Sequence, residues 1–244
     1  MLNVTEHGQP GRPTLLIAHG LFGSGRNWGA IGKRLSDAFH VLAPDMRNHG
    51  DSPWFDTQSY PEMADDLAEL LDGPADVVGH SMGGKAAMML ALTRPELVRR
   101  LVVADIAPVA YTHSQAHNIA VMRAVDLSGI TRRAQAAAQL DVDAAVKPFL
   151  LQSLDAGQGR WKLNLDVLER EMDRIIGWPE VDGRFDGPAL FLSGGASDYV
   201  QPGHRATIRA LFPGARFARI PGAGHWLHAE KPQEVEKTLR VFLA

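Results

Sequence analysis

The sequence predicts an α/β fold: a mostly parallel central sheet flanked by helices, with one helical insertion. Three observations predict it. Short continuous apolar runs recur along the chain, helix-like stretches lie between them, and glycine, at 24 of 244 residues, clusters where the runs end. An unbroken apolar run suits a strand covered on both faces, which is the condition of a parallel sheet. Strands alternating with helices build βαβ units. In such sheets functional groups gather at the carboxyl ends of the strands.

Taken in order, the first strand candidate is Thr14–Ala18, running into His19-Gly20. Phe39–Ala43 runs into Pro44-Asp45, and Ala75–Val78 into Gly79. Leu101–Ala104 runs into Asp105, Ala189–Leu192 into Ser193-Gly194-Gly195, and Ala215–Ile220 into Pro221-Gly222. Between them, Pro61–Leu71 places Met63, Leu67, Leu70 and Leu71 on one helical face, with a proline near its start. Met82–Thr93 is apolar nearly all round and reads as a buried helix. His204–Leu211 and Pro232–Leu243 complete the helices. One segment breaks the alternation. Tyr111–Asp182 is helix-prone, rich in Ala, Gln and balanced charge, and shows no convincing strand. It reads as a helical cap inserted into the core, since it has few large apolar side chains with which to fold alone. The expected organisation is a core in two parts, 1–110 and 183–244, split by a cap at 111–182.

Composition narrows the function. The formal net charge of −3 lacks the broad basic footprint of a nucleic-acid binder. The chain has no cysteine, so disulfides, a thiolate zinc site and a cysteine nucleophile are excluded. The first ten residues carry no apolar signal core, and the apolar stretch Ala86–Leu92 is too short to span a bilayer. The expectation is a soluble cytoplasmic protein with no membrane span. Nothing in the sequence specifies an oligomeric state.

The chemistry starts at Gly79-His80-Ser81-Met82-Gly83-Gly84, a G-x-S-x-G motif between a strand candidate and a buried-helix candidate. That context makes Ser81 a nucleophile on a sharp turn at the top of the sheet. The Met82 amide then points to where an oxyanion would form. A serine hydroxyl needs a base, and the order nucleophile, acid, histidine places it late in the chain. His225, in the glycine-rich loop Pro221-Gly222-Ala223-Gly224-His225-Trp226, is that base; His204 and His228 read as solvent or packing residues. Two aspartates stand at strand ends as the third member, Asp105 and Asp198. Topology favours Asp198, a turn-capping role for it is equally open, and sequence physics alone does not separate the two. His19-Gly20-Leu21-Phe22-Gly23-Ser24 supplies a second oxyanion amide, that of Leu21, with His19 bracing the loop. Asp45-Met46-Arg47-Asn48-His49-Gly50-Asp51-Ser52 reads as a hydrogen-bonded turn. Metal binding by Asp45, His49 and Asp51 is disfavoured, because no spaced second cluster supports it. Phe22, Phe149, Leu150, Leu151, Trp161, Trp178 and Trp226 are candidates to line a substrate pocket.

Together these motifs resemble the α/β-hydrolase superfamily over nearly the whole chain. They are closer still to the small YbfF-type bacterial esterases and their mitochondrial relatives. The matching pieces are His19 to Ser24, Asp45 to Pro53, Gly79 to Lys85, Asp105-Ile106-Ala107-Pro108-Val109, and Gly224-His225-Trp226-Leu227-His228-Ala229-Glu230-Lys231-Pro232. The resemblance implies a serine esterase or thioesterase acting on small-molecule acyl esters, with acyl-CoA among the candidates, and needing no cofactor. It also shifts the choice of acid to Asp105. Fold alone leaves other readings: carbon–carbon bond hydrolysis, perhydrolysis, or a ligand receptor with little turnover.

Overall fold

The computed structural model describes residues 1–244. Its strands are β1 (Val4–His7), β2 (Thr14–Ala18), β3 (His40–Pro44), β4 (Ala75–His80), β5 (Val98–Ala104), β6 (Leu154–Asp155), β7 (Arg160–Trp161), β8 (Ala189–Gly194) and β9 (Ala215–Ile220). Seven of them form one sheet in the order β1-β3-β2-β4-β5-β8-β9. Every pairing in it is parallel except that of the edge strand β1 with β3. The helices are α1 (Gly29–Leu35), α2 (Tyr60–Ala68), α3 (Met82–Thr93), α4 (Ala116–Ala124), α5 (Arg133–Ala137), α6 (Lys147–Leu151), α7 (Leu165–Arg170), α8 (Met172–Ile176), α9 (Arg205–Leu211), α10 (Leu227–Glu230) and α11 (Pro232–Phe242).

The apolar runs are strands because both faces of the sheet are covered. Side chains alternate across a strand. Leu15 and Ile17 therefore enter a core with Ile31 and Leu35 of α1 and Val235 and Leu239 of α11. Leu16 and Ala18 enter the opposite core with α2, α3 and the segment inserted after β5. Helix α3 has 11 of its residues buried, which is why its sequence shows no polar face. Ser59 opens α2 by accepting the Glu62 amide, and Pro61 follows in its first turn.

The sequence reading missed β1, α1, α10 and the hairpin β6–β7, and several boundaries differ, with α2 ending at Ala68 rather than Leu71 and β5 starting at Val98 rather than Leu101. Strand β1 is a half-exposed edge with no apolar run. Helix α1 is short and contains two glycines. The inserted segment, expected to hold no strand, carries the hairpin β6–β7, whose strands of two residues are too short to show a period. Ahead of α9, Pro202–His204 is a separate 3-10 turn rather than part of the helix. No helix is long and apolar enough to cross a membrane.

Candidate active site

The site is built at the carboxyl ends of β4, β5 and β8. Ser81 joins β4 to α3 with φ 52° and ψ −121°, a left-handed conformation that costs a non-glycine residue about 1–3 kcal/mol. The neighbouring glycines make that turn possible. A Cβ on Gly79 would lie 2.3 Å from the Gly83 carbonyl oxygen, and one on Gly83 would lie 2.4 Å from that of His19. Ser81 is held from behind, its amide donating to the Ala104 carbonyl at 3.0 Å.

His225 reaches back over the sheet to this serine. Its Nε2 is 3.0 Å from Ser81 Oγ, and its Nδ1 is 2.8 Å from Asp105 Oδ2. Asp105 is 0% exposed and also has positive φ, at 53°. Its carboxylate is satisfied by the Gly194 amide at 2.9 Å and by the Ser197 hydroxyl, besides the imidazole. This geometry separates the two aspartates that the sequence left open. Asp198 is exposed, and its recorded contact is a backbone one, the carbonyl accepting from the Gln201 amide group. The imidazole is also packed. Tyr199 stacks on it with ring centroids 3.9 Å apart and 16° between planes, and His80 donates from Nε2 to the His225 carbonyl at 2.8 Å.

The amides of Leu21 and Met82 flank the serine. The Leu21 amide has no acceptor in the protein, and Met82 opens α3, where a first-turn amide has no intrahelical partner. Two buried histidines brace the Leu21 loop. His19 accepts the Met46 amide at Nε2, 2.9 Å, and its Nδ1 faces the Gly20 carbonyl at 2.8 Å. His49 accepts the Phe22 amide at Nε2, 3.2 Å, and its Nδ1 faces the Arg47 carbonyl at 2.8 Å. Each ring must be neutral to accept at one nitrogen and donate from the other. Burial agrees: it lowers both, His49 to about 3. Asp45 collects amides of Gly25 and Asp51 and the side chain of Asn3. Burial pushes that carboxyl up, but these donors outweigh it and the net shift is downward. Asp45, His49 and Asp51 are thus engaged as a turn, and no group of three His, Asp or Glu side chains is placed to hold a metal.

A cavity of about 260 Å³ opens on Ser81 and His225. Of the lining candidates from the sequence, Phe22, Phe149, Leu150 and Trp226 are on its wall, together with Leu21. Trp161, Trp178 and Leu151 are not. Trp161 is 7% exposed and packs inside the inserted segment, its indole N–H donating to the Met122 carbonyl at 2.8 Å. Trp178 lies behind Tyr60, ring centroids 6.1 Å apart, and it is Tyr60 that reaches the cavity. Sequence reasoning missed Tyr60, Lys85, Tyr111 and Tyr199 on the wall. Only Lys85 had a local signal, one turn beyond the nucleophile; the tyrosines are brought in by packing.

Residues 15–238 match the alpha/beta hydrolase family. The chain is 44% identical over 250 residues to the Mus musculus protein named sn-1-specific diacylglycerol lipase ABHD11, across 95% of this chain and 81% of that one. It is 40% identical to Esterase YbfF of Escherichia coli (strain K12), across 98% and 96% of the two chains. The solved structure of a marine microorganism esterase superposes with a TM-score of 0.93 at 38% identity, covering 99% and 98%. With the match running through both parts of the sheet and through the serine turn, the chain belongs to the alpha/beta hydrolase family.

Proposed function

We propose that this protein is a carboxylic ester hydrolase that works through an acyl-enzyme on Ser81. The observation that carries the reading is the imidazole of His225 bridging Ser81 Oγ and Asp105 at 3.0 and 2.8 Å. The named esterase and lipase relatives support the same class.

In the first half-reaction Ser81 Oγ forms a bond to the ester carbonyl carbon while its proton passes to His225 Nε2. The carbonyl electrons move to oxygen, and the amides of Leu21 and Met82 hold that charge. Asp105 fixes the ring with its proton on Nδ1 and stabilises the imidazolium. Collapse breaks the bond to the leaving group, which takes the proton from Nε2. Water then repeats the sequence on the acyl-serine and frees the carboxylic acid. Neither the nucleophile nor the two amides read the leaving atom, so the reading covers thioesters as well as oxygen esters.

The segment at 111–182 acts as a cap over the acyl pocket, and its residues, Phe149, Leu150 and Ile176 among them, lie on the cavity wall. The test is a panel of nitrophenyl esters and acyl thioesters run beside Ser81→Ala. The expected result is a burst of one product equivalent, steady turnover after it, and fluorophosphonate labelling at Ser81 alone. Labelling at another residue, or ligand uptake without turnover, overturns the reading.

A further inference from the structure

One charged side chain on the cavity wall takes no part in this chemistry. Lys85 lies one helical turn beyond Ser81 on α3, its amide donating to the Ser81 carbonyl at 3.0 Å. Its side chain is fully buried, the residue being 1% exposed. A buried ammonium costs several kcal/mol unless it is well paired, yet no carboxylate accompanies Lys85. Its partners are main-chain oxygens and aromatic faces. It donates to the carbonyl of Ile176 at 2.9 Å and to that of Gly177. It lies 4.9 Å from the ring centroid of Tyr111 and 5.6 Å from that of Tyr60.

Both carbonyls belong to the turn that ends α8 in the inserted segment. That turn is gripped at three successive residues: the Tyr60 hydroxyl donates to the Ile175 carbonyl, the Tyr111 amide to that of Ile176 at 2.9 Å, and Lys85 to those of Ile176 and Gly177. The side chains of Ile175 and Ile176 form cavity wall. We propose that Lys85 is a specificity-determining residue: its ammonium clamps the Ile175–Gly177 turn onto α3 and so fixes how far an acyl chain can run from Ser81. The proposal rests on the ester-hydrolase reading, because the acyl group that stays on Ser81 is the part that meets this wall.

The clamp is tunable. Burial pushes the ammonium down to about 7. The titratable groups facing it are Tyr60 from α2 and Tyr111 from the start of the insertion. Burial raises both phenols, so they stay neutral across the working range. From α8 it meets only carbonyls. The charge therefore falls away gradually as pH rises through about 7, and a neutral amine holds two carbonyls less strongly than a cation does.

The experiment compares kcat/KM for nitrophenyl octanoate and butanoate in the wild type and in Lys85→Met. The octanoate-to-butanoate ratio should rise about tenfold in the variant, carried by KM rather than kcat. Amide hydrogen exchange over 172–178 should accelerate in the same variant. A folded Lys85→Met with the wild-type ratio and wild-type exchange overturns the proposal. If that variant does not fold, the wild type decides, since the state of His225 affects both esters alike and cancels in the ratio. The ratio should climb between pH 6 and pH 9, and a flat ratio overturns the clamp. Absence of turnover on every wild-type ester refutes the hydrolase reading instead, and the exchange of 172–178 across the same pH range still reports on the clamp.

Discussion

Asp105 is a buried carboxylate, and such a group must be met by donors. Three meet it: the Gly194 amide, the Ser197 hydroxyl and the His225 ring. A carboxamide at this position would keep the shape but present N–H where the imidazole needs an acceptor. Asp105→Asn should therefore lower kcat by about 10⁴, as expected when the ring loses its tautomer. Asp198→Asn should leave kcat near wild type, since that side chain is exposed and holds no bond to His225. Steady-state kinetics of the two variants decide the matter, and the reverse ranking would assign the acid to Asp198. Ser81→Ala and His225→Ala should each cost as much as the pair together, because the three side chains act as a unit. Ser197→Ala removes one donor to Asp105 and leaves the triad intact. It should cost about 1 kcal/mol, roughly fivefold in kcat.

The turn from β4 to α3 is the element on which the site depends, and two glycines show how space decides a substitution. A Cβ on Gly83 would lie 2.4 Å from the His19 carbonyl oxygen and 2.5 Å from that of Ala18, and both obstacles are backbone, at the end of β2 and the start of the loop after it. Gly83→Ala should destabilise by about 2–3 kcal/mol in urea unfolding. Gly29, at the start of α1, has helical φ and open space around it. Gly29→Ala should stabilise by about 0.5 kcal/mol, and a loss there would show a contact that the fold does not contain. The same contrast explains what could be read from the sequence. Strands β2 to β5 and β8 were legible because coverage on both faces leaves an unbroken apolar run. Ser81 and His225 were legible because turn chemistry is local to a few residues. The choice between Asp105 and Asp198 was not, since both follow a strand and only the packing of β8 beside β5 brings Gly194 and Ser197 onto one of them. Trp161 was misread because an aromatic in the insertion has two apolar places to go, and its indole N–H found the Met122 carbonyl inside the segment. Lys85 had no role in the sequence reading, and its place is set by the insertion, whose carbonyls of Ile176 and Gly177 take its ammonium on that face of α3.

Across the whole molecule, four buried histidines surround the site: His19 and His49 in the front loops, His80 beneath His225, and His228 stacked on Trp28 with centroids 4.6 Å apart. Burial lowers the pKa of all four, to about 3 for His49 and His228. In the unfolded chain each returns to about 6.5. Below that pH the unfolded chain binds protons that the folded one refuses, so stability falls as pH falls. Above it the two states bind alike and the contribution is complete and constant. Each such histidine contributes a slope of up to ~1.4 kcal/mol per pH unit between 6.5 and its folded value. Even partial expression of four such slopes is a large share of the 5–15 kcal/mol that holds a domain together. The carboxylates of Asp45, Glu62 and Asp76 are lowered too, so they add to the loss only at more acid pH. Urea midpoints should therefore fall modestly from pH 8 to 7, where the buried Lys85 is the one group that binds its proton more weakly in the folded chain than in the unfolded one, and drop more steeply from pH 6 to 5, before those carboxylates titrate. His228→Leu removes one of the four titrations from a site whose Nδ1 has no hydrogen-bond partner, so it should flatten the slope by about a quarter. Midpoints that stay level from pH 7 to 5 would mean that these rings take up protons without unfolding the chain, and the histidine layer would then not be what limits the protein in acid.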